Sequence, residues 1–276
     1  MSDIKYALKD ALAQLEATSD SARLDAEVLL AYVLNTSRTY LYSHPEQLLL
    51  RDHQITYQHL LAQRAEGLPI AYITGTREFW DQTLHVNQDT LIPRPETELL
   101  VELTLKHLDK PNASILDLGT GSGAIGIALA TERPDWRITA SDICQDALLI
   151  ARENAQRLKL THWTAIESDW FDNIPHKHFD AILANPPYIA EHDPHLSQGD
   201  VRFEPRAALV SGPDGLDAFR RIIEQSYHRL SKNGFVLLEH GYNQKQAVTT
   251  LLRQHGFVDV QCWTDCQGNE RVSGGW

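Results

Sequence analysis

From Ser114 onward, this chain of 276 residues alternates between apolar runs typical of strands and amphipathic runs typical of helices. Strands that are joined through helices run parallel, and a parallel sheet is covered by helices on both faces. The alternation therefore predicts an α/β fold. Strands are predicted at Ser114–Leu118, Trp136–Ser141, Trp163–Glu167, Phe179–Ala184, Gly234–Glu239 and Phe257–Trp263, and helices at Gly123–Glu132, Gln145–Leu158, Asp214–Leu230 and Asn243–His255.

The region before this alternation has a helical pattern. Apolar residues recur at helical spacing from Ile4 to Leu15, and further helices are predicted at about Ser21–Leu34 and from an Asp52 N-cap to Gly67. Helices this short are marginally stable alone, so we expect them to pack as a small bundle. The region holds no group of chemistry-bearing residues, and we therefore predict that it recognises a substrate.

A connector joins the two regions. The stretch 70–95 is rich in β-branched and aromatic residues, with turn chemistry at Gly75, which predicts a hairpin or an extended segment. Pro93 and Pro95 end this stretch, and an amphipathic helix is predicted over Glu96–Leu108. We therefore expect three parts: an all-α domain at residues 1–75, a β-hairpin linker at 76–95 and a larger α/β domain at 96–276.

Charge and cysteine content narrow the partners and the location. The chain has 25 Lys and Arg against 37 Asp and Glu, a formal net charge of −12, without a cluster of basic residues. Such a chain repels nucleic-acid phosphates, so no direct nucleic-acid partner is expected. No run is long and apolar enough for a membrane span, and the first residues lack the features of a signal peptide. Three cysteines and no standard ligand spacing favour a cytoplasmic location and no metal site.

A glycine-rich loop follows the first predicted strand of the α/β region. Gly119, Gly121 and Gly123 alternate with Thr120 and Ser122. Glycines at this turn let the backbone approach a ligand and direct helix N–H groups toward it. The loop also satisfies a dinucleotide fingerprint, but the preceding strand carries Asp117 at its end, where a dinucleotide site usually has an apolar residue. A cofactor that carries an ammonium and a sulfonium tolerates this carboxylate better than a pyrophosphate does.

Polar and aromatic residues also follow the next two strands. Asp142 ends the second strand, where a carboxylate can accept hydrogen bonds from both ribose hydroxyls of a cofactor. Asp169 and Trp170 end the third, and they could hold an adenine by a hydrogen bond and an aromatic contact. Ligands of open α/β sheets bind at the carboxyl ends of the strands. The three strand ends together predict a cofactor site.

The sharpest motif is Asn185-Pro186-Pro187-Tyr188, directly after an apolar strand. Two prolines remove two N–H donors and make the turn rigid, so that it presents acceptors: the Asn185 side-chain oxygen and nearby carbonyls. Such a turn suits a planar –NH2 group, and Tyr188 offers a flat face to an amide or a base. In-line alignment and acceptors for the charge that appears on nitrogen would then promote methyl transfer without a metal.

Five motifs together resemble the HemK-type release factor glutamine methyltransferases, also called the PrmC family, over essentially the whole chain. The motifs are Ile92–Glu98, Leu116–Gly123, Ser168–Trp170, Asn185–Ile189 and Gly199–Pro205. The resemblance implies a class I S-adenosylmethionine methyltransferase fold, Rossmann-like, with a mostly parallel seven-stranded sheet whose last strand is antiparallel and a small N-terminal all-α domain. Salt bridging or loop anchoring is favoured over direct catalysis for Arg94, Glu98, Arg202, Glu204 and Arg206.

The resemblance also implies the reaction. These enzymes methylate the side-chain amide nitrogen (N5) of the glutamine in the Gly-Gly-Gln motif of class 1 release factors, which serves translation termination. The methyl donor is S-adenosyl-L-methionine, and the product is S-adenosyl-L-homocysteine. By resemblance, the cofactor contacts are Gly119, Thr120, Gly121, Ser122, Gly123, Asp142, Trp170 and Asn185. The glutamine is held by Asn185, Pro186, Pro187 and Tyr188, of which Asn185, Pro186 and Tyr188 are the expected catalytic residues.

Four other functions remain as alternatives. A glutamine methyltransferase that acts on a ribosomal protein would share every motif. A nucleic-acid amino-methyltransferase would use a similar Asn-Pro-Pro-Tyr turn, but the net charge of −12 disfavours it. A dinucleotide oxidoreductase gives that turn no role. A non-enzymatic interaction protein is disfavoured because the motifs are intact.

Overall fold

The computed structural model describes residues 2–175 and 177–276. It divides into two compact units. The first contains the N-terminal region as far as Gly75 together with Gln198–Phe203, and the second contains Thr76–Ser197 and Glu204–Trp276. A short segment from late in the sequence thus belongs to the first unit.

The first unit is helical, and its elements follow from capping and apolar spacing. Helix α1 begins where the Asp3 side chain accepts a hydrogen bond of 2.7 Å from the Tyr6 N–H. Its buried stripe, with Ile4 and Leu15, packs against Leu29, Leu30 and Leu61 of other helices. The unit contains α1 (Ile4–Leu15), α2 (Ala22–Val33), α3 (Arg38–Ser43), α4 (Arg51–Ala65) and α5 (Ile70–Thr74).

The prediction of extended structure from residue 70 was wrong for α5. Pro69 occupies the N-cap of this helix, and Gly75 ends it in a left-handed conformation with φ of 71°. Ile70 and Ile73 pack against the apolar core of the first unit. Tertiary packing therefore overrides the β propensity of these β-branched residues.

A buried ion pair lies inside the first unit. Arg64 of α4 donates to Asp25 of α2 at 2.7 Å and to Asp200 at 2.8 Å. The side chains of Arg64 and Asp25 are only 10% and 7% exposed. Ser19 and Ser21 also donate to the Asp25 carboxylate, at 2.7 Å and 3.0 Å. Arg64 therefore ties the segment Gln198–Phe203 to two helices of the unit.

The second unit begins with a hairpin and continues into a seven-stranded sheet. The hairpin strands are β1 (Thr76–Phe79) and β2 (Gln82–His85). The sheet has the order β5-β4-β3-β6-β7-β9-β8. Its strands are β3 (Ser114–Leu118), β4 (Arg137–Asp142), β5 (Trp163–Glu167), β6 (Phe179–Ala184), β7 (Leu230–Glu239), β8 (Gln261–Thr264) and β9 (Glu270–Gly275).

The sheet is parallel from β5 to β7, and β9 is antiparallel to both of its neighbours. This confirms the expected α/β fold with a mostly parallel sheet and an antiparallel last strand. Leu116 and Leu118 of β3 belong to one apolar cluster, whereas Ile115 belongs to another. Since alternate residues of a strand face opposite sides, both faces of the sheet are covered.

Helices of the second unit pack on these faces. They are α6 (Glu98–His107), α7 (Ala124–Glu132), α8 (Gln145–Arg157), α9 (Asp217–Ser226) and α10 (Lys245–Gln254). The predicted helix at Asp214–Leu230 is shorter than expected, and the predicted strand at Gly234–Glu239 is longer. No helix of the described residues is long and apolar enough to cross a membrane.

Strand β3 lies in the middle of the sheet, and the order in which successive strands are added to the sheet reverses at β3. The sequence runs from β3 outward to β4 and β5, and then returns to β6 on the other side of β3. A crevice at the carboxyl ends of strands is expected at such a reversal. The glycine loop after β3 and the Asn185 turn after β6 are therefore neighbours.

Candidate active site

A cavity of about 410 Å³ lies at the carboxyl ends of β3, β4 and β6, within the second unit. Its lining combines residues that the sequence analysis singled out with others that it did not. The former are Gly119, Gly121, Asp142, Ser168, Asp169, Trp170, Asn185, Pro187 and Pro205. The latter are Asp89, Leu91, Ile143, Cys144, Ala147, Ala207, Ala208 and Val210.

The glycine loop forms one wall of this cavity. Gly119 and Gly121 have φ angles of 68° and 56°, which side chains other than glycine rarely adopt. A Cβ atom on Gly119 would lie 3.5 Å from the Trp170 ring, so the ring covers the loop closely. The Gly121 N–H donates to Asp142 Oδ2 at 2.9 Å, which joins the ends of β3 and β4.

Asp117 supports the loop from beneath. Its Oδ2 atom accepts from Thr120 Oγ1 at 2.6 Å and from the Gly126 N–H at 3.0 Å, while Oδ1 has no hydrogen-bond partner among the described residues. The side chain is fully buried, and burial raises its pKa to about 6. Asp117 does not line the cavity, so its role in this structure is to hold the loop.

The raised pKa of Asp117 predicts an unusual dependence of stability on pH. Below the ordinary pKa of 3.8 the carboxyl is neutral in both states, and above about 6 it must be buried as a charge. The unfolding free energy of the wild type, relative to Asp117→Asn, should therefore fall as pH rises from about 4 to about 6, by about 1.4 kcal/mol per unit of raised pKa. Urea unfolding of both proteins across this range measures the difference. A difference that stays constant or grows with pH would contradict the assignment.

Asp142 presents a carboxylate to the cavity. Its two oxygens accept from the backbone N–H groups of Gly121 and Cys144, each at 2.9 Å. Burial raises its pKa. Because each carboxylate oxygen has two lone pairs, both oxygens can accept a further hydrogen bond from a ligand.

Trp170 and Asp169 lie at the end of β5 and differ in their partners. Trp170 has φ of 52°, and its carbonyl accepts from Ser168 Oγ at 2.9 Å, which keeps the ring over the loop. Asp169 forms an ion pair of 2.9 Å with Arg221 of α9. A ligand that binds Asp169 would therefore share its carboxylate with Arg221.

The turn after β6 leaves one strong acceptor without a partner. Asn185 Nδ2 donates to Thr97 Oγ1 at 3.0 Å, whereas Asn185 Oδ1 is buried and has no hydrogen-bond partner among the described residues. An unpaired buried amide oxygen costs free energy unless a ligand donates to it. Pro187 lines the cavity beside Asn185.

Tyr188 is placed differently from the other residues of the turn. It packs against the apolar cluster that contains Leu118, and burial raises the pKa of its phenol. Its backbone carbonyl accepts from Gln244 Nε2 at 2.9 Å. Tyr188 and Pro186 are not part of the cavity lining. In this structure Tyr188 anchors the turn to the core.

Three other predicted contact residues also lie outside the cavity lining, namely Thr120, Ser122 and Gly123. Thr120 directs its hydroxyl to Asp117, and the Ser122 carbonyl accepts from Asn154 Nδ2 at 2.9 Å. Gly123 is the N-cap of α7, with φ of 91°. These residues shape the loop from behind, whereas Gly119 and Gly121 line the cavity.

Glu204 connects two of the motifs. Its side chain is fully buried, pairs with Arg94 and accepts from the Ile92 N–H at 3.1 Å. This agrees with the expected salt-bridging role of Arg94 and Glu204. The contact holds the chain before α6 against the segment that follows Phe203.

Solved structures share this fold. The 16S rRNA N2 G1207 methyltransferase of T. thermophilus, in complex with AdoMet and guanosine, matches with a TM-score of 0.53 and 18% identity. The match covers 72% of this chain and 49% of that one. The fold, together with the match of residues 96–202 to the methyltransferase small domain, defines a class I methyltransferase.

Sequence comparison identifies the family. Residues 6–75 match the PrmC N-terminal domain, and residues 96–202 match the methyltransferase small domain. The release factor glutamine methyltransferase of Salmonella typhimurium is 47% identical over 273 residues, 99% of this chain and 98% of that protein. The protein of the same name from Escherichia coli is 46% identical over 271 residues, covering 98% of each chain. The chain belongs to the release factor glutamine methyltransferase family.

Proposed function

We propose that this enzyme transfers the methyl group of S-adenosylmethionine to the side-chain amide nitrogen of the glutamine in the Gly-Gly-Gln motif of class 1 release factors. The observation that carries this proposal is the buried Oδ1 atom of Asn185, which has no partner among the described residues. It is an acceptor on a rigid turn, as an –NH2 group requires. Because such a substrate acts on ribosomes, we place the reaction in the cytoplasm.

The cavity fits the proposed cofactor. The Asp142 carboxylate can accept from ribose hydroxyls, and the Trp170 ring can contact an adenine. The solved methyltransferase from T. thermophilus binds AdoMet with the same fold. When bound, this cofactor supplies a methyl group on a positively charged sulfur, which is a good leaving group.

The turn provides the chemistry that an amide needs. The lone pair of an amide nitrogen is delocalised, so the nitrogen is a poor nucleophile. Asn185 Oδ1 accepts one hydrogen of the substrate –NH2 group, and a carbonyl of the proline-fixed turn accepts the other. These two acceptors align the nitrogen and stabilise the positive charge that develops on it. Tyr188 contributes by fixing the turn to the core.

The helical unit is proposed to recognise the protein substrate, with residues 1–75 as the recognition domain and 76–95 as the linker to the methyltransferase domain at 96–276. Residues 6–75 match a domain model named for this family's N-terminal domain, whereas the methyltransferase fold is shared with the rRNA methyltransferase of T. thermophilus. Substrate choice is therefore proposed to reside in the first unit.

Substitution of Asp142 tests the cofactor site. Asp142→Ala removes two charge-assisted acceptors, each worth about 1.5–3 kcal/mol, so cofactor affinity should fall at least about tenfold. The cofactor affinity of Asp142→Asn should fall less, because one side-chain oxygen remains as an acceptor. Calorimetric titration with S-adenosylhomocysteine measures this, and Asp146→Asn, an exposed residue on α8, is the matched control. Unchanged affinity of Asp142→Ala would remove Asp142 from the cofactor site.

A competition assay tests the choice of substrate. Equal amounts of a class 1 release factor, large-subunit ribosomal proteins and ribosomal RNA are offered together with methyl-labelled cofactor. We expect label in the release factor alone. Label in a ribosomal protein would support the alternative that the enzyme is a glutamine methyltransferase of ribosomal proteins. Label in RNA would support an amino-methyltransferase of nucleic acids.

A further inference from the structure

Two buried residues that have no assigned role lie behind Asn185, and the first of them, Thr97, belongs to the motif Ile92–Glu98. Thr97 ends the short helical turn Pro95–Thr97 and is 4% exposed, and Glu239 ends strand β7 and is 1% exposed. Thr97 Oγ1 accepts from Asn185 Nδ2 at 3.0 Å. Burial raises the pKa of Glu239 to about 7, and hydrogen bonding to the Thr97 hydroxyl opposes this rise. The three side chains therefore form a row: Asn185, Thr97, Glu239.

The hydrogen bonds along this row have a fixed order of donor and acceptor, because the three side chains differ in how many hydrogens they can donate. A hydroxyl has one hydrogen, and an ionised carboxylate can only accept. With Glu239 ionised, the Thr97 hydrogen goes to the carboxylate, and Thr97 can only accept from Asn185. The amide of Asn185 must then turn its Nδ2 toward Thr97, and its Oδ1 is left for a substrate.

We propose that Thr97 and Glu239 are positioning residues for methyl transfer, which fix the orientation of the Asn185 amide so that Oδ1 meets the substrate –NH2 group. This inference rests on the proposed function. Without the row, an Asn amide can rotate by half a turn and present Nδ2, a donor, to a substrate that itself only donates at nitrogen. Neither residue touches the reacting atoms in this account.

The same row makes the orientation sensitive to pH. Arg94 and Arg271 lower the pKa of Glu239, Glu96 raises it, and the neutral Tyr188 phenol also faces the carboxyl. A protonated Glu239 can donate to Thr97, which frees the Thr97 hydrogen for Asn185 and permits the rotated amide. The maximal rate should therefore fall as pH drops through about 7.

Thr97→Val tests the row, because it keeps the shape and removes the hydroxyl. We expect the single-turnover transfer rate at saturating release factor to fall about tenfold, the equivalent of one hydrogen bond. The KM for release factor and the affinity for cofactor should stay unchanged. Thr97→Ser restores a hydroxyl and should restore the rate.

Thr104→Val is the matched control. Thr104 is buried in α6, and its hydroxyl donates at 2.7 Å to the Leu100 carbonyl of its own helix, away from the row. Its transfer rate should equal that of the wild type. A wild-type rate for Thr97→Val, an equal loss in Thr104→Val, or a failure of Thr97→Ser to recover would each overturn the inference.

Glu239→Gln tests the role of Glu239 through the pH dependence of the transfer rate, which a purely structural role of this residue would leave unchanged. A Gln side chain does not titrate and can donate to Thr97, so the rate should be low and should lose the dependence on pH near 7. A variant that keeps the wild-type pH profile would overturn the role of Glu239. Asn185→Ala in the same assay distinguishes a failure of the proposed function from a failure of the positioning row. If Asn185→Ala transfers methyl groups at the wild-type rate, the turn is not the amide site. If Asn185→Ala is inactive while Thr97→Val is normal, only the positioning row is refuted.

Discussion

Asn185→Ala is expected to lose about 10²–10³ in the rate of methyl transfer, the usual cost of removing one preorganised polar contact from a transition state. Asn185 Oδ1 is a buried cavity-side acceptor that has no hydrogen-bond partner among the described residues. Without it, the substrate nitrogen can rotate out of line with the sulfonium, and one acceptor for the developing charge is lost. Cofactor binding should suffer far less, since Asp142 and Trp170 are intact. Single-turnover kinetics and calorimetry measure the two effects separately.

The control for this variant is Asn243→Ala, an exposed Asn before α10 in the same unit. It should transfer methyl groups at the wild-type rate. Near-wild-type transfer by Asn185→Ala would show that the Asn-Pro-Pro-Tyr turn does not hold the amide. A loss of cofactor affinity as large as the loss of rate would move Asn185 from the substrate site to the cofactor site.

Arg64→Ala is expected to destabilise the helical unit by about 3–5 kcal/mol, because it leaves a buried carboxylate without its cation. Among the described residues, the Asp25 carboxylate keeps the two serine hydroxyls, and Asp200 loses one of the contacts that tie Gln198–Phe203 to the unit. Hydrogen exchange of the α2 and α4 amides reports on this unit locally and should become faster. If that unit recognises the protein substrate, the KM for release factor should rise as well.

Arg23→Ala is the control for this prediction. Arg23 is 74% exposed and pairs with Glu27, which Arg38 and Tyr42 also contact. An exposed ion pair of this kind contributes about 0–1 kcal/mol to the free energy of unfolding, so the hydrogen exchange of the α2 and α4 amides should change little. Equal exchange in Arg64→Ala and Arg23→Ala would contradict the importance of the buried pair. In Asp25→Ala/Arg64→Ala, the loss should be smaller than the sum of the two single losses.

Much of the fold could be predicted because its elements have strong local patterns. Helix α1 follows directly from its apolar stripe, and strands β3 and β6 from short apolar runs beside turns. Strand β9 was not predicted from any pattern, since Glu270–Gly275 contains Ser and two Gly residues, which are weak strand formers. Its pairing with β7 and β8 makes it a strand. Helix α5 was missed for the converse reason, as its β-branched residues pack against other helices.

In the candidate site, too, some residues could be predicted from local sequence patterns and others depend on contacts that only the fold creates. The glycine loop, Asp142, Trp170 and Asn185 could be found because each sits at the end of a recognisable strand. The roles of Thr97 and Glu239 could not be found, because Thr97 meets Asn185 across 88 positions of sequence and Glu239 meets Thr97 across 142. A sequence shows that a Thr or a Glu is present, and only the fold shows what it faces.

We propose that this chain methylates a glutamine amide held by the Asn185 turn. The most direct test incubates the enzyme with S-adenosylmethionine and a purified class 1 release factor, and then fragments the Gly-Gly-Gln peptide in a mass spectrometer. We expect the mass of one added methyl group on the glutamine side chain, and no reaction when Glu replaces that glutamine, since Glu offers no –NH2 group. An unmodified glutamine, a methyl group at another residue, or methylation of the Glu variant would contradict the proposed activity.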